Sequence, residues 1–103
     1  MDSEAARYSV EVWDWDDYWA AFEALPEAQQ VRVSELMANH LPFRPNQMRP
    51  PLLKQLHGTH SHLKQFECGS HRLIYEVLED EAKVRVVFLG LHPPWEKRAK
   101  VGG

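Results

Sequence analysis

Three apolar runs crowded between Leu63 and His92 set the tightest limit on how this chain can fold. The stretch reads LKQFECGSHRLIYEVLEDEAKVRVVFLGLH. Branched and aromatic residues fill the runs, and polar or glycine-bearing breaks, Gly69-Ser70 and EDEAK, separate them. Runs of this length and composition, joined by short polar turns, predict three consecutive antiparallel strands. The rest of the chain must cover that sheet or decorate its rim.

Before it, Tyr8 to Trp13 alternates apolar and polar residues and predicts a further strand. Asp14, Asp16 and Asp17 come next, suited to cap a helix and to sit at its positive end. Tyr18, Trp19, Phe22 and Leu25 then recur at helical spacing, predicting a helix over about 16–25. Pro26 breaks it and starts a second helix, with Glu27 in its first turn. Ala28, Val31, Leu36 and Met37, with Val33 beside them, form the expected inward face of that helix. Gln29, Gln30 and Arg32 fall mainly outside it, and the helix ends near Asn39-His40, ahead of Leu41-Pro42. Four of the seven prolines lie in PFRPNQMRPP, residues 42–51, which reads as a loop carrying Arg44 and Arg49. Residues 52–58 read as one helical turn or as a loop that packs its leucines inward. The order β-α-α-β-β-β is an α+β fold: a helical hairpin packed on one face of a mainly antiparallel sheet. The first strand lies at an edge or beside the last one.

One hundred and three residues suit a single domain, 1–103, with 1–7 and 99–103 expected to fray. No apolar run approaches the ~20 residues of a membrane span, and the acidic start lacks the apolar core of a signal peptide. One cysteine, Cys68, excludes an intrachain disulfide and fits a reducing cytoplasm. Net charge is −3, unevenly spread. Residues 1–43 hold two basic and nine acidic side chains, and residues 44–103 hold ten basic and six acidic. A basic second half can face an anionic partner, whereas a pI near 6.0 speaks against indiscriminate binding to nucleic acid.

Two side chains carry the candidate chemistry. If the last turn centres on Glu81, Glu79 opposes Lys83, Ile74 opposes Phe88 and Arg72 opposes Gly90. Arg72 and His92 then share a sheet face, roughly 5–8 Å apart by cross-strand spacing. A fixed guanidinium can grip a phosphate through two parallel hydrogen bonds, and it can equally pair with a glutamate. A histidine near neutrality can move protons, or simply bond the backbone at a strand end. His57, His60 and His62 (HGTHSH) read as a solvated loop rather than a metal site, since no cysteine or carboxylate stands beside them. The aromatic cluster Trp13, Trp15, Tyr18 and Trp19 is interleaved with aspartates, which repel a phosphate backbone. It reads as an anchor between sheet and helix or as a contact for another protein.

The element order, Leu-Lys-Gln-Leu-His-Gly at 53–58, Gly-Ser-His-Arg-Leu-Ile-Tyr-Glu-Val at 69–77, and a closing strand ending Gly-Leu-His together resemble the RelE/ParE superfamily of type II toxins over roughly residues 8–95. HRLIY resembles the RelE and YoeB branches in particular. The resemblance implies a small toxin neutralised by a partner antitoxin. RelE-like members cut mRNA in the ribosomal A site without a metal or other cofactor; ParE-like members share the fold and inhibit DNA gyrase. It implies catalytic roles for Arg72, at the family's phosphate-binding arginine, and for His92, near the place of a proton-transferring histidine. Lys54, Lys64 and Arg49 are the candidate RNA-binding cations. The second of the three strands departs from the pattern: Leu63 and Gln65 stand where RelE has lysines, and Glu67 where many relatives have an arginine. Arg98 falls roughly where RelE has a C-terminal tyrosine. The alternative implied function is a non-catalytic toxin, or toxin remnant, that binds gyrase or its antitoxin.

Overall fold

A computed structural model describes residues 5–91 and 93. Its elements are β1 (Ser9–Val12), α1 (Trp15–Glu23), α2 (Glu27–Glu35), β2 (Leu53–Gln55), β3 (Leu63–Cys68), β4 (His71–Leu78) and β5 (Lys83–Gly90). The strands form one sheet in the order β1-β5-β4-β3-β2. β1 runs parallel to β5 and every other neighbouring pair is antiparallel. This is the expected α+β architecture, with β1 at one edge beside the last strand.

Both helices lie on the same side of the sheet. α1 begins where Asp14 caps it, its carboxylate accepting a hydrogen bond from the Asp17 amide at 3.1 Å. Tyr18 is its buried anchor, and Leu25 is buried just past its end. α2 starts after Pro26 and, beyond Glu35, widens into a π-helical turn, Leu36–His40, closed by the Leu41 amide on the Leu36 carbonyl. The wide turn lets Leu36 and Leu41, five residues apart, both point inward, and both are buried. These side chains and Val33 meet Leu53, Cys68, Leu73, Tyr75, Val84, Val86 and Leu89 from the sheet in one core. The Tyr75 hydroxyl is buried with it and donates to the Pro45 carbonyl at 2.7 Å, which ties the proline-rich loop to the middle of β4.

Three details differ from expectation. α2 is turned about its axis: Val31 is 52% exposed, and Val33 takes the central place. The reason is polar. Arg32 lies over the Phe66 ring, 5.5 Å from its centroid, and reaches the Gln29 amide oxygen and the Glu67 carbonyl, so long polar side chains cover the sheet there. Second, residues 53–55 form a short edge strand on β3 rather than a helical turn or loop. Three residues are too few to show a period, and pairing decides their state. Third, the β4–β5 turn does not place Glu79 against Lys83. Lys83 faces Leu78, while Glu79 lies in the turn and accepts from the Tyr8 hydroxyl. A register shift between Ile74 and Tyr75, with Val87 the extra residue on β5, then restores Ile74 opposite Phe88 and Arg72 opposite Gly90. The expected partner of Arg72 is therefore correct, through a bulge and not through the supposed turn.

Candidate functional site

Strand alternation sorts the sheet's side chains. Leu73, Tyr75 and Val77 of β4 face the helices and join the core. Arg72, Ile74 and Glu76 therefore face the other way, and register extends each into a row across the strands. One row is Glu67–Arg72–Gly90, the next Lys54–Gln65–Ile74–Phe88, and the third Leu63–Glu76–Arg85–Glu11. Ile74, Leu63 and Gln65 are buried in the middle of this face, so its floor is largely apolar.

The third row is closed on itself. Arg85 gives its Nε to Glu11 at 2.7 Å and an Nη to Glu76 at 3.3 Å, and Lys83 reaches Glu11 at 3.2 Å. The two cations hold the Glu11 carboxyl below the usual carboxylate range, the Arg85 hydrogen bond contributing most. The Arg72 row is built differently. Glu67 stands directly across β3 from Arg72, an arrangement that favours an ion pair and lowers the local positive potential. On the other flank Gly90 offers no side chain. Even a methyl group there would come within 2.9 Å of the Phe88 ring, so Phe88 occupies the space beside the arginine's neighbour.

The remaining candidates separate. Lys54 lies one row from Arg72 on the same face. Lys64 pairs with Tyr75 and so points to the helix side, where burial lowers its pKa and the Glu79 carboxylate opposes that shift. Arg49 bridges to Leu53 through its backbone and lines a cavity of about 380 Å³ on the helix side with Arg32, Asn39 and His40. His40 in that cavity is held below its ordinary pKa, chiefly by burial. His92 lies outside the described residues, as do residues 1–4 and 94–103, including Arg98 and most of the expected frayed ends. Cys68 is buried at the end of β3 with its thiol pKa pushed up by burial, the state of a packing residue. The segment around His57, His60 and His62 is a loop with one 3₁₀ turn, Gly58–His60, stitched down by Gln55, which donates to the Ser61 and Leu63 carbonyls. Among the described residues no three His, Cys, Asp or Glu side chains gather as a metal site. The position of Glu67 opposite Arg72 is the site feature that residue-by-residue reading passed over; counting back from Gly69-Ser70 as a two-residue turn would have found it.

No family model matches the sequence, and no curated protein matches it. Solved structures do resemble the fold. The toxin–antitoxin complex RelBE2 from Mycobacterium tuberculosis contains a chain that aligns with a TM-score of 0.61 at 18% identity, over 88% of this chain and 98% of that one. The isolated E. coli RelE toxin aligns at 0.59 and 14% identity, over 92% and 95%. A YoeB/ParE toxin from Agrobacterium tumefaciens aligns at 0.62 and 17% identity, over 82% and 99%. This chain has the RelE-like toxin fold. Among the described residues no helix is long and apolar enough to cross a membrane.

Proposed function

We propose that this chain is the toxin component of a type II toxin–antitoxin system, held by a cognate antitoxin protein, and that it acts in the cytoplasm as a ribosome-dependent mRNA endonuclease. The fold supports the first half: the M. tuberculosis neighbour is a toxin–antitoxin complex, and E. coli RelE was also solved with an antitoxin peptide. The observation that carries the second half is Arg72, set on the sheet face away from the helices one row from Lys54. In such a reaction the 2′-oxygen attacks the neighbouring phosphorus and the bond to the 5′-oxygen breaks. A base removes the 2′-hydroxyl proton and an acid delivers one to the departing oxygen. Arg72 would bind the phosphate oxygens where charge builds up, His92 would move a proton, and Lys54 would meet the RNA backbone. None of these steps needs a metal.

A second reading has its own observation. Glu67 in register with Arg72 weakens the pull on a phosphate, which favours a toxin that acts by binding a protein, gyrase or its antitoxin, without cutting RNA. Expression in bacteria without antitoxin, beside an Arg72→Ala, His92→Ala double variant, separates the two. Growth arrest with ribosome-dependent mRNA cuts, lost in the variant, supports the endonuclease. Arrest with poisoned gyrase, or no arrest at all, removes it.

A further inference from the structure

Three tryptophans leave much of their surface in solvent: Trp13 is 73% exposed, Trp15 47% and Trp19 49%. Two of them stand together. Trp15 and Trp19 stack at 6.0 Å with 22° between planes, and both meet Tyr18 edge-on at 5.4 and 5.2 Å. Phe22 extends the set, edge-on to Trp19 at 5.4 Å. A contiguous aromatic face of this kind, rimmed by charge, marks a contact surface. Every charge within the stretch that carries it has one sign: Asp14, Asp16, Asp17 and Glu23, with no basic residue between Trp13 and Glu23.

Beside this face, sharing Tyr18 with it, a slot of about 300 Å³ opens between α1 and the end of the sheet. It exists because β1 stops at Val12 while β5 runs on to Gly90. Val12, Val86, Val87 and Leu89 line its walls, and the charged side chains among its lining residues are the carboxylates of Asp14 and Asp17. An apolar shaft with two carboxylates suits a long aliphatic side chain ending in a cation. The flanking indoles suit the same cation through their faces, arginine better than lysine. We propose that this surface binds an arginine-bearing segment of another polypeptide, with one arginine in the slot and its neighbours against Trp15 and Trp19. Nucleic acid does not fit, because the aspartates repel its backbone. The slot lies between α1 and β5 and shares Phe88 with the sheet face that carries Arg72, but the proposal does not depend on the reading given to that row.

Binding of a fluorescently labelled oligoarginine peptide to the whole chain, measured by anisotropy, tests this. Two double variants remove the parts separately: Trp15→Ala with Trp19→Ala, whose rings are surface-exposed, and Asp14→Asn with Asp17→Asn, which keeps a helix cap because asparagine caps as well as aspartate. Asp80→Asn with Glu81→Gln removes the same charge from the exposed β4–β5 turn as a control, and circular dichroism confirms folding of each. The expected result is binding weakened at least about fivefold by either surface variant, unchanged by the control, and weaker for oligolysine. Equal loss in the control reduces the effect to net charge and overturns the proposal. So does unchanged binding in both surface variants. So does finding that the tryptophan pair governs self-association, or oligonucleotide binding, while peptide binding stays as in the parent chain.

Discussion

Two arginines on the same sheet face, Arg72 and Arg85, stand on neighbouring central strands and face the same way, yet their surroundings are opposite. Arg85 has a carboxylate on each flank, Glu11 across β5–β1 and Glu76 across β5–β4, and bonds both. Arg72 has a carboxylate across one flank only and a glycine across the other. The guanidinium between two acids completes a cross-strand ladder that stitches the parallel β1 edge to the sheet. The guanidinium beside a glycine has no cross-strand carboxylate on that flank, where the Phe88 ring lies against the glycine instead. Register assigns these roles; residue type does not, since both arginines sit in apolar strands of similar composition.

The largest effect falls on the glycine-flanked arginine. If its row is a phosphate site, Arg72→Ala lowers mRNA cleavage by roughly 100-fold or more, the usual consequence of losing one preorganised donor to a developing charge. The same change at Arg85 leaves cleavage per folded molecule unaltered. Ribosome-dependent cleavage measured for both variants breaks the comparison if Arg85→Ala loses as much as Arg72→Ala.

How far this contrast could be read from the sequence depends on the strand. The spans of β4 and β5, the helical hairpin and the partner of Arg72 were legible, because branched residues between polar breaks leave little choice. The route to that partner was not. Glu79 and Lys83 look like a cross-strand ion pair, but Lys83 belongs to Glu11 and Glu81, and only the extra residue at Val87 brings the count right by Gly90. A bulge leaves no mark in composition. α2 misled for a related reason: apolar counting favours Val31, whereas Arg32 and Gln29 use their long stems to cover Phe66 and Gly69. The strand at 53–55 was invisible, being defined by its neighbour. Of the candidate cations, parity separates Lys54 from Lys64, and parity is readable only once β3 is fixed against β4.

A middle-sized effect separates folding from the site. Tyr75 sits where the register shifts, between the two arginine rows but on the core side, its hydroxyl on the Pro45 carbonyl. Tyr75→Phe leaves a buried carbonyl without its donor and costs about 1–2 kcal/mol. Denaturant unfolding checks this. Activity per folded molecule stays as in the parent, so a fall in both would mean that Tyr75 positions the Arg72 row.

A smaller effect goes the other way. Glu67→Gln removes the carboxylate across from Arg72 while keeping the side chain's shape. An exposed or half-exposed pair is worth at most about 1 kcal/mol, so phosphate-analogue affinity or cleavage rises by no more than about fivefold. A rise confirms that Glu67 restrains the arginine. A fall would show instead that Glu67 holds the guanidinium in its working pose, and the second arginine row would then be the better analogue of the first than its flanks suggest.

The smallest effect is expected at Arg85, and its sign can be worked out. Glu11 has its folded-state pKa lowered, first by the hydrogen bond from Arg85 and then by that from Lys83. A depressed carboxyl contributes stability that is fully present above its unfolded value and is lost as pH falls through the folded one. Arg85→Gln removes the largest single cause of that lowering. The variant should therefore melt below the parent at neutral pH, with the gap closing as pH drops below the ordinary glutamate range. Salt narrows it too, because the ladder is solvent-exposed and screening reaches it. Thermal melts at neutral and acid pH, each at low and high salt, decide the point. A gap that persists in acid would mean that Arg85 stabilises the β1 edge through its aliphatic stem rather than its charge, and the contrast with Arg72 would then rest on packing.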